Sequence, residues 1–91
     1  MSRFNPARGE VQATLGGREV RLCVTLRALA ALEAHFGVTG FEALGTRLAG
    51  MGAADAQVVL KALVLEEVEV EAVGFREALA AIVAAFAAMN A

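Results

Sequence analysis

Residues 8–37, RGEVQATLGGREVRLCVTLRALAALEAHFG, constrain the fold more than any other stretch of this chain. Two runs of alternating polarity, Gly9 to Leu15 and Arg18 to Val24, flank the pair Gly16-Gly17. A two-residue loop between strands needs positive φ at its central positions, which glycine adopts at low cost. With that loop, Leu15 pairs with Arg18, Ala13 with Val20 and Val11 with Leu22. One face then collects Val11, Ala13, Leu15, Val20, Leu22 and Val24. The other carries Glu10, Gln12, Thr14, Glu19, Arg21 and Cys23. A register shift of one residue would undo this sorting, so turn and pattern specify the same hairpin. Thr25 then occupies an N-cap position ahead of a helix over 26–36. Leu26, Leu29, Leu32 and Phe36 form its apolar stripe, widened by Ala30, and Gly37 can end it in the left-handed conformation.

The remainder reads as helices with short breaks. Residues 1–8 are expected to be a flexible N-terminal arm with a turn signal at Asn5-Pro6, and 9–91 to be a single small domain. Thr39-Gly40-Phe41-Glu42 matches a capping box, in which Thr39 and Glu42 would satisfy each other's amides. It opens a helix over about 40–49 with Phe41, Leu44 and Leu48 on one side, closed by Gly50-Met51-Gly52. Asp55 is the next N-cap candidate, opening a helix over about 56–66 with Val59, Leu60, Leu63 and Val64 inward. Residues 66–74, EEVEVEAVG, suit either an exposed extended segment or edge strand, or a frayed helix end followed by a loop. Gly74 with Glu77 marks the start of a last helix over about 75–89. The expected architecture is α+β: an N-terminal β-hairpin, 9–24, packed against about four short α-helices.

Composition excludes several function classes. The net charge of −2 and the scatter of Lys and Arg along all 91 residues argue against a nucleic-acid surface, which needs clustered cations. The single cysteine, Cys23, allows no internal disulfide; on the polar face it reads as a half-buried side chain beneath a helix or loop, with a reactive thiol as the alternative. No signal sequence is evident at the start, and the longest uncharged run, Ala78 to Ala91, is shorter than the ~20 apolar residues that span a bilayer. A cytoplasmic protein without membrane contact is expected. His35 is the lone histidine, so neither a metal site nor a catalytic constellation assembles around it; a helix-end histidine is the simpler reading. Glu66, Glu67, Glu69 and Glu71 lack the spacing of a calcium loop, and the glycine pairs lack the lysine of a phosphate cradle. No catalytic residue and no cofactor is expected, and the chain reads as a non-enzyme.

One feature points to function. The sequence is 58% hydrophobic with a mean hydropathy of +0.62, and from Ala78 onward it carries no charge. Leu79, Ile82, Val83, Phe86 and Met89 form a helical stripe, and the opposite face is alanine. A helix apolar all round is usually buried on several sides, which so small a domain can rarely provide alone. Leu79, Ile82, Val83, Phe86 and Met89 are therefore the candidate partner-binding residues, facing a partner protein or another copy in a homo-oligomer.

The strings RGEV, LGGREVRLCVTLRALAALEAHFG, a FEAL-type helix and a further helix near Asp55 resemble the small tail assembly proteins of phages and gene transfer agents. These are often labelled phage tail assembly chaperones or gene transfer agent tail proteins. The resemblance is densest over residues 8–48 and becomes compositional after about residue 66. The family's "LT-x-x-AL-x-x-LE" pattern falls on Val24-Thr25-Leu26-Arg27-Ala28-Leu29-Ala30-Ala31-Leu32-Glu33. The resemblance implies a non-enzymatic chaperone in the cytoplasm of a bacterial host, holding the tape measure protein soluble until tail tube subunits polymerise around it. It also allows contact with the tail tube protein, or retention in the particle as a tube or connector subunit; a small regulatory protein is the remaining alternative. It carries over no site residues.

Overall fold

The computed structural model describes residues 9–89, and the expected N-terminal arm lies outside them. Strands β1 (Val11–Leu15) and β2 (Arg18–Leu22) lead into helices α1 (Leu26–Phe36), α2 (Phe41–Ala49) and α3 (Ala53–Leu63). A single 3-10 turn, Val70–Ala72, precedes helix α4 (Phe75–Met89). The fold is α+β, with an N-terminal antiparallel hairpin followed by four helices.

The hairpin has the register that the glycine pair dictates: Val11 opposite Leu22, Ala13 opposite Val20 and Leu15 opposite Arg18. Gly16 and Gly17 have φ of 62° and 81°, the positive pair that matches the twist of the strands. Pairing ends at Leu22 rather than Val24, because the chain must turn into the cap of α1. There the Thr25 hydroxyl accepts the Ala28 N–H at 3.0 Å, satisfying one of the helix's orphan donors. At the other end Gly37 sits at φ 67°, and the Val38 N–H returns to the Glu33 carbonyl at 3.1 Å. That long return bond is the closure a left-handed glycine permits.

Two helix starts differ from the sequence expectation. The Thr39–Glu42 capping box does not form: the N-cap of α2 is Gly40, at φ 96°, and no side chain caps there. Its N–H donates instead to the Glu33 carboxylate at 2.8 Å, so an acid on α1 does what Glu42 was expected to do. Helix α3 begins at Ala53, and Asp55 is its third residue rather than its cap. The Asp55 carboxylate reaches back to the Gly52 N–H at 3.3 Å. The helix also stops at Leu63, three residues short of the expected end.

That early stop explains residues 63–67. The Leu65 N–H donates to the Arg21 carbonyl, the Cys23 N–H donates to the Leu63 carbonyl, and Val64 bridges Leu22. The 63–65 segment thus runs along the outer edge of β2, just ahead of the 66–74 stretch where an extended edge was one of the two expectations. Glu66 fastens it: its carboxylate accepts both the backbone N–H of Arg21 at 2.8 Å and its Nε at 2.6 Å. Arg18 adds a bond to the Glu67 carbonyl at 2.6 Å. Beyond this the chain forms the 3-10 turn, with Val70 buried, so 66–74 is neither a continued strand nor a frayed helix end.

The core is made of Leu22, Leu32, Leu44, Leu60, Leu63, Val20 and Val59, which are almost completely sealed. Helix α3 lies at its centre, packed against both α1 and α4, and α4 packs in turn on β1. The Glu77 carboxylate accepts the Gly16 N–H at 2.8 Å, tying the first turn of α4 to the hairpin loop. Gly9 lies near the Ala88 carbonyl, so α4 runs along β1 from the loop back to the strand's start.

Candidate interaction surface

Helix α4 presents a different face to the core from the one its large residues suggest. Ala78, Ala81, Ile82 and Ala85 are the buried positions, at 5%, 4%, 3% and 0% exposure. Small side chains let α4 approach its neighbours closely, and only Ile82 of the expected stripe joins them. Ile82 is therefore part of the domain's own packing. Leu79, Phe86 and Met89 are half-buried, and Val83 is 66% exposed. The alanine face, expected to lie opposite the stripe, is split: Ala81 and Ala85 are inside, while Ala80, Ala84 and Ala87 face outward.

The outward side of the helix continues onto α2. Phe41, expected to point inward with Leu44 and Leu48, is 50% exposed, and only Leu44 of the three is buried. The Phe41 ring lies 6.3 Å from that of Phe86, tilted by 32°, within the range in which aromatic pairs attract. Phe41, Val83 and Phe86 thus give α2 and α4 an exposed apolar surface. Phe41 was missed as a surface residue because it is the first residue of α2, where the stripe has not yet turned inward. The glycine before it, at positive φ, is the only local signal of that geometry.

The position of α2 is itself set by specific contacts. Arg47 donates to the Phe36 carbonyl at 2.9 Å and lies 5.5 Å from the centroid of the Phe36 ring. It thereby answers the negative end of the α1 dipole as well as the ring face. His35, also in the last turn of α1, lies 3.0 Å from the Asp55 carboxylate and joins α1 to the start of α3. The hydrogen bond from His35, then that from the Gly52 amide, hold the Asp55 carboxyl below its ordinary range. For Glu66, burial raises the carboxyl, but the backbone and side-chain bonds from Arg21 outweigh it and leave it lowered.

Two residues assigned to the polar face of the hairpin are buried. Glu10 is 3% exposed with its carboxylate 3.7 Å from the Arg21 guanidinium, and Cys23 is 6% exposed, deeper than the half-buried position expected. The Cys23 N–H is bonded to the Leu63 carbonyl, and Glu66 joins Glu10 on the Arg21 guanidinium, so residues 63–66 supply neighbours here that strand alternation does not announce.

Among the described residues no cluster of three His, Cys, Asp or Glu could hold a metal ion, and no helix is long and apolar enough to cross a membrane. What the arrangement offers is an exposed apolar surface lined by α2 and α4. A family model described as "Phage tail tube protein, GTA-gp10" matches residues 8–89. That description is of a structural tail protein rather than of an enzyme. No curated protein and no solved structure matches the chain.

Proposed function

We propose that this chain, which belongs to the phage tail tube family of gene transfer agents and phages, is a non-enzymatic tail component that works by docking to other tail proteins. The observation that carries this reading is the match over residues 8–89, nearly the whole folded domain. The contact surface is the outward side of α4 with the start of α2: Val83, Phe86 and Phe41, flanked by Leu79 and Met89. Apolar side chains left exposed on rigid helices are what a protein partner covers. In this reading the chain assembles in the cytoplasm of the bacterial host and stays in the finished particle as a tube or connector subunit.

A second reading is favoured by the helical character of that surface. Apolar surfaces built from helices take the apolar face of an amphipathic partner helix. A long helical client such as the tape measure protein fits this chemistry, and the chain would then act as a transient assembly chaperone. Quantitative mass spectrometry of purified particles separates the two. The subunit reading expects the chain in fixed ratio to the other tail proteins. Its absence from particles, together with solubilisation of the co-expressed tape measure protein, would replace that reading with the chaperone.

A further inference from the structure

A second surface lies away from Phe41 and Val83. Helices α1 and α3 and the segment that follows α3 border an open groove of about 430 Å³. Ala28, Ala31, Ala62 and Leu65 form its apolar lining, and Arg27 and Lys61 stand on its two helical walls. Leu26, between the lining residues Thr25 and Arg27, is 85% exposed, and Leu65 is 41% exposed. A contiguous hollow of about 330 Å³ is shared by the same two cations with Glu66, Glu67 and Val68.

The charges here are matched in kind but not paired. Among the described residues, Arg21 pairs with Glu10 and Glu66 and His35 with Asp55, while Arg27 and Lys61 enter no ion pair. The same holds for the side chains of Glu67, Glu69 and Glu71, which are exposed. The segment alternates: Leu65, Glu67 and Glu69 are outward, while Val68 is half-buried and Val70 buried. The groove with cationic walls thus lies beside an acidic segment, 65–69, that ends at the 3-10 turn.

Complementary patches side by side on one face are what a twofold axis satisfies, because each copy then offers its strip to the other's groove. We propose that this face is a homodimer interface, in which the 65–69 strip of a second copy lies in the α1–α3 groove. Glu67 and Glu69 of that copy meet Arg27 and Lys61, and Leu26 and Leu65 are covered at the centre. The contact is reciprocal, and it holds whether the chain is a tube subunit or a chaperone.

Sedimentation equilibrium of the full chain tests it. A dimer, twice the 9.4 kDa chain mass, is expected, weakening as salt is raised. The double variant R27E/K61E should raise the dissociation constant at least ~10-fold, and E67K/E69K should do the same. All four positions are exposed, and circular dichroism checks that each variant keeps the wild-type fold. Mixing the two variants should restore a dimer, since each then presents charges opposite to its partner at both contacts. A wild-type chain that remains monomeric overturns the proposal, as does dimerisation unaffected by either charge reversal. A mixture that fails to reassociate overturns the reciprocal geometry. A monomer whose groove instead binds an acidic helix of another tail protein overturns the assignment of a second copy.

Discussion

At the scale of single residues, the fold rests on positions where the backbone permits few alternatives. Gly16 and Gly17 both need positive φ, yet a Cβ added at either would meet nothing within 4 Å. The cost of substitution there is conformational rather than steric. Gly17→Ala should therefore lower stability by ~1 kcal/mol with the register intact, read by urea denaturation and by amide chemical shifts. Asp55 supplies a pH test. Its carboxyl titrates below the ordinary range in the folded chain, so its contribution is complete above that range and is lost as pH falls through the folded pKa. Unfolding curves of the wild type and Asp55→Asn should differ at neutral pH and converge in acid; curves that stay equally far apart would refute the role of the His35–Asp55 pair. Glu10 and Cys23 show where residue-level reading fails. Alternation assigns each a face, but Cys23 is bonded to Leu63 and the arginine beside Glu10 is held by Glu66, partners some forty residues later in the chain.

At the scale of elements, hairpin and helices are legible because glycine, threonine caps and period agree. The boundaries that moved did so for tertiary reasons. Glu33 accepts the amide of Gly40, the N-cap that formed in place of Thr39, and Arg21 drew Glu66 out of α3 into an extended partner of β2. Helix α4 is a different failure. Where nearly every residue is apolar, no single stripe is defined, and close packing selected Ala78, Ala81 and Ala85 over the larger residues. This makes opposite predictions for adjacent positions. Ala81→Leu should destabilise by ~1–3 kcal/mol, because the site is full and its neighbours must shift. Ile82→Asp should prevent folding, since it buries an unpaired charge. Val83→Asp should leave thermal stability within ~0.5 kcal/mol of wild type, because its side chain is mostly in solvent. Thermal melts of the three variants, run side by side, check the assignment of faces.

At the scale of the molecule, one core holds a hairpin, a central α3 and three flanking helices, and the described residues leave the α2–α4 flank and the α1–α3 groove exposed. The candidate stripe was legible as a helix in need of contacts. Which of its members stay free was not, because that depends on how α3 and β1 divide the sides of α4 between them. Ile82 went inside, Val83 stayed out, and Phe41 joined from another helix. The central claim is that this exposed flank docks the chain into a growing tail. Its most direct test is to count full-length tails by electron microscopy in producing cells whose only copy carries Val83→Asp. A folded variant at wild-type abundance that yields few or no complete tails is the predicted result. Tails at wild-type number and length from that variant would contradict it.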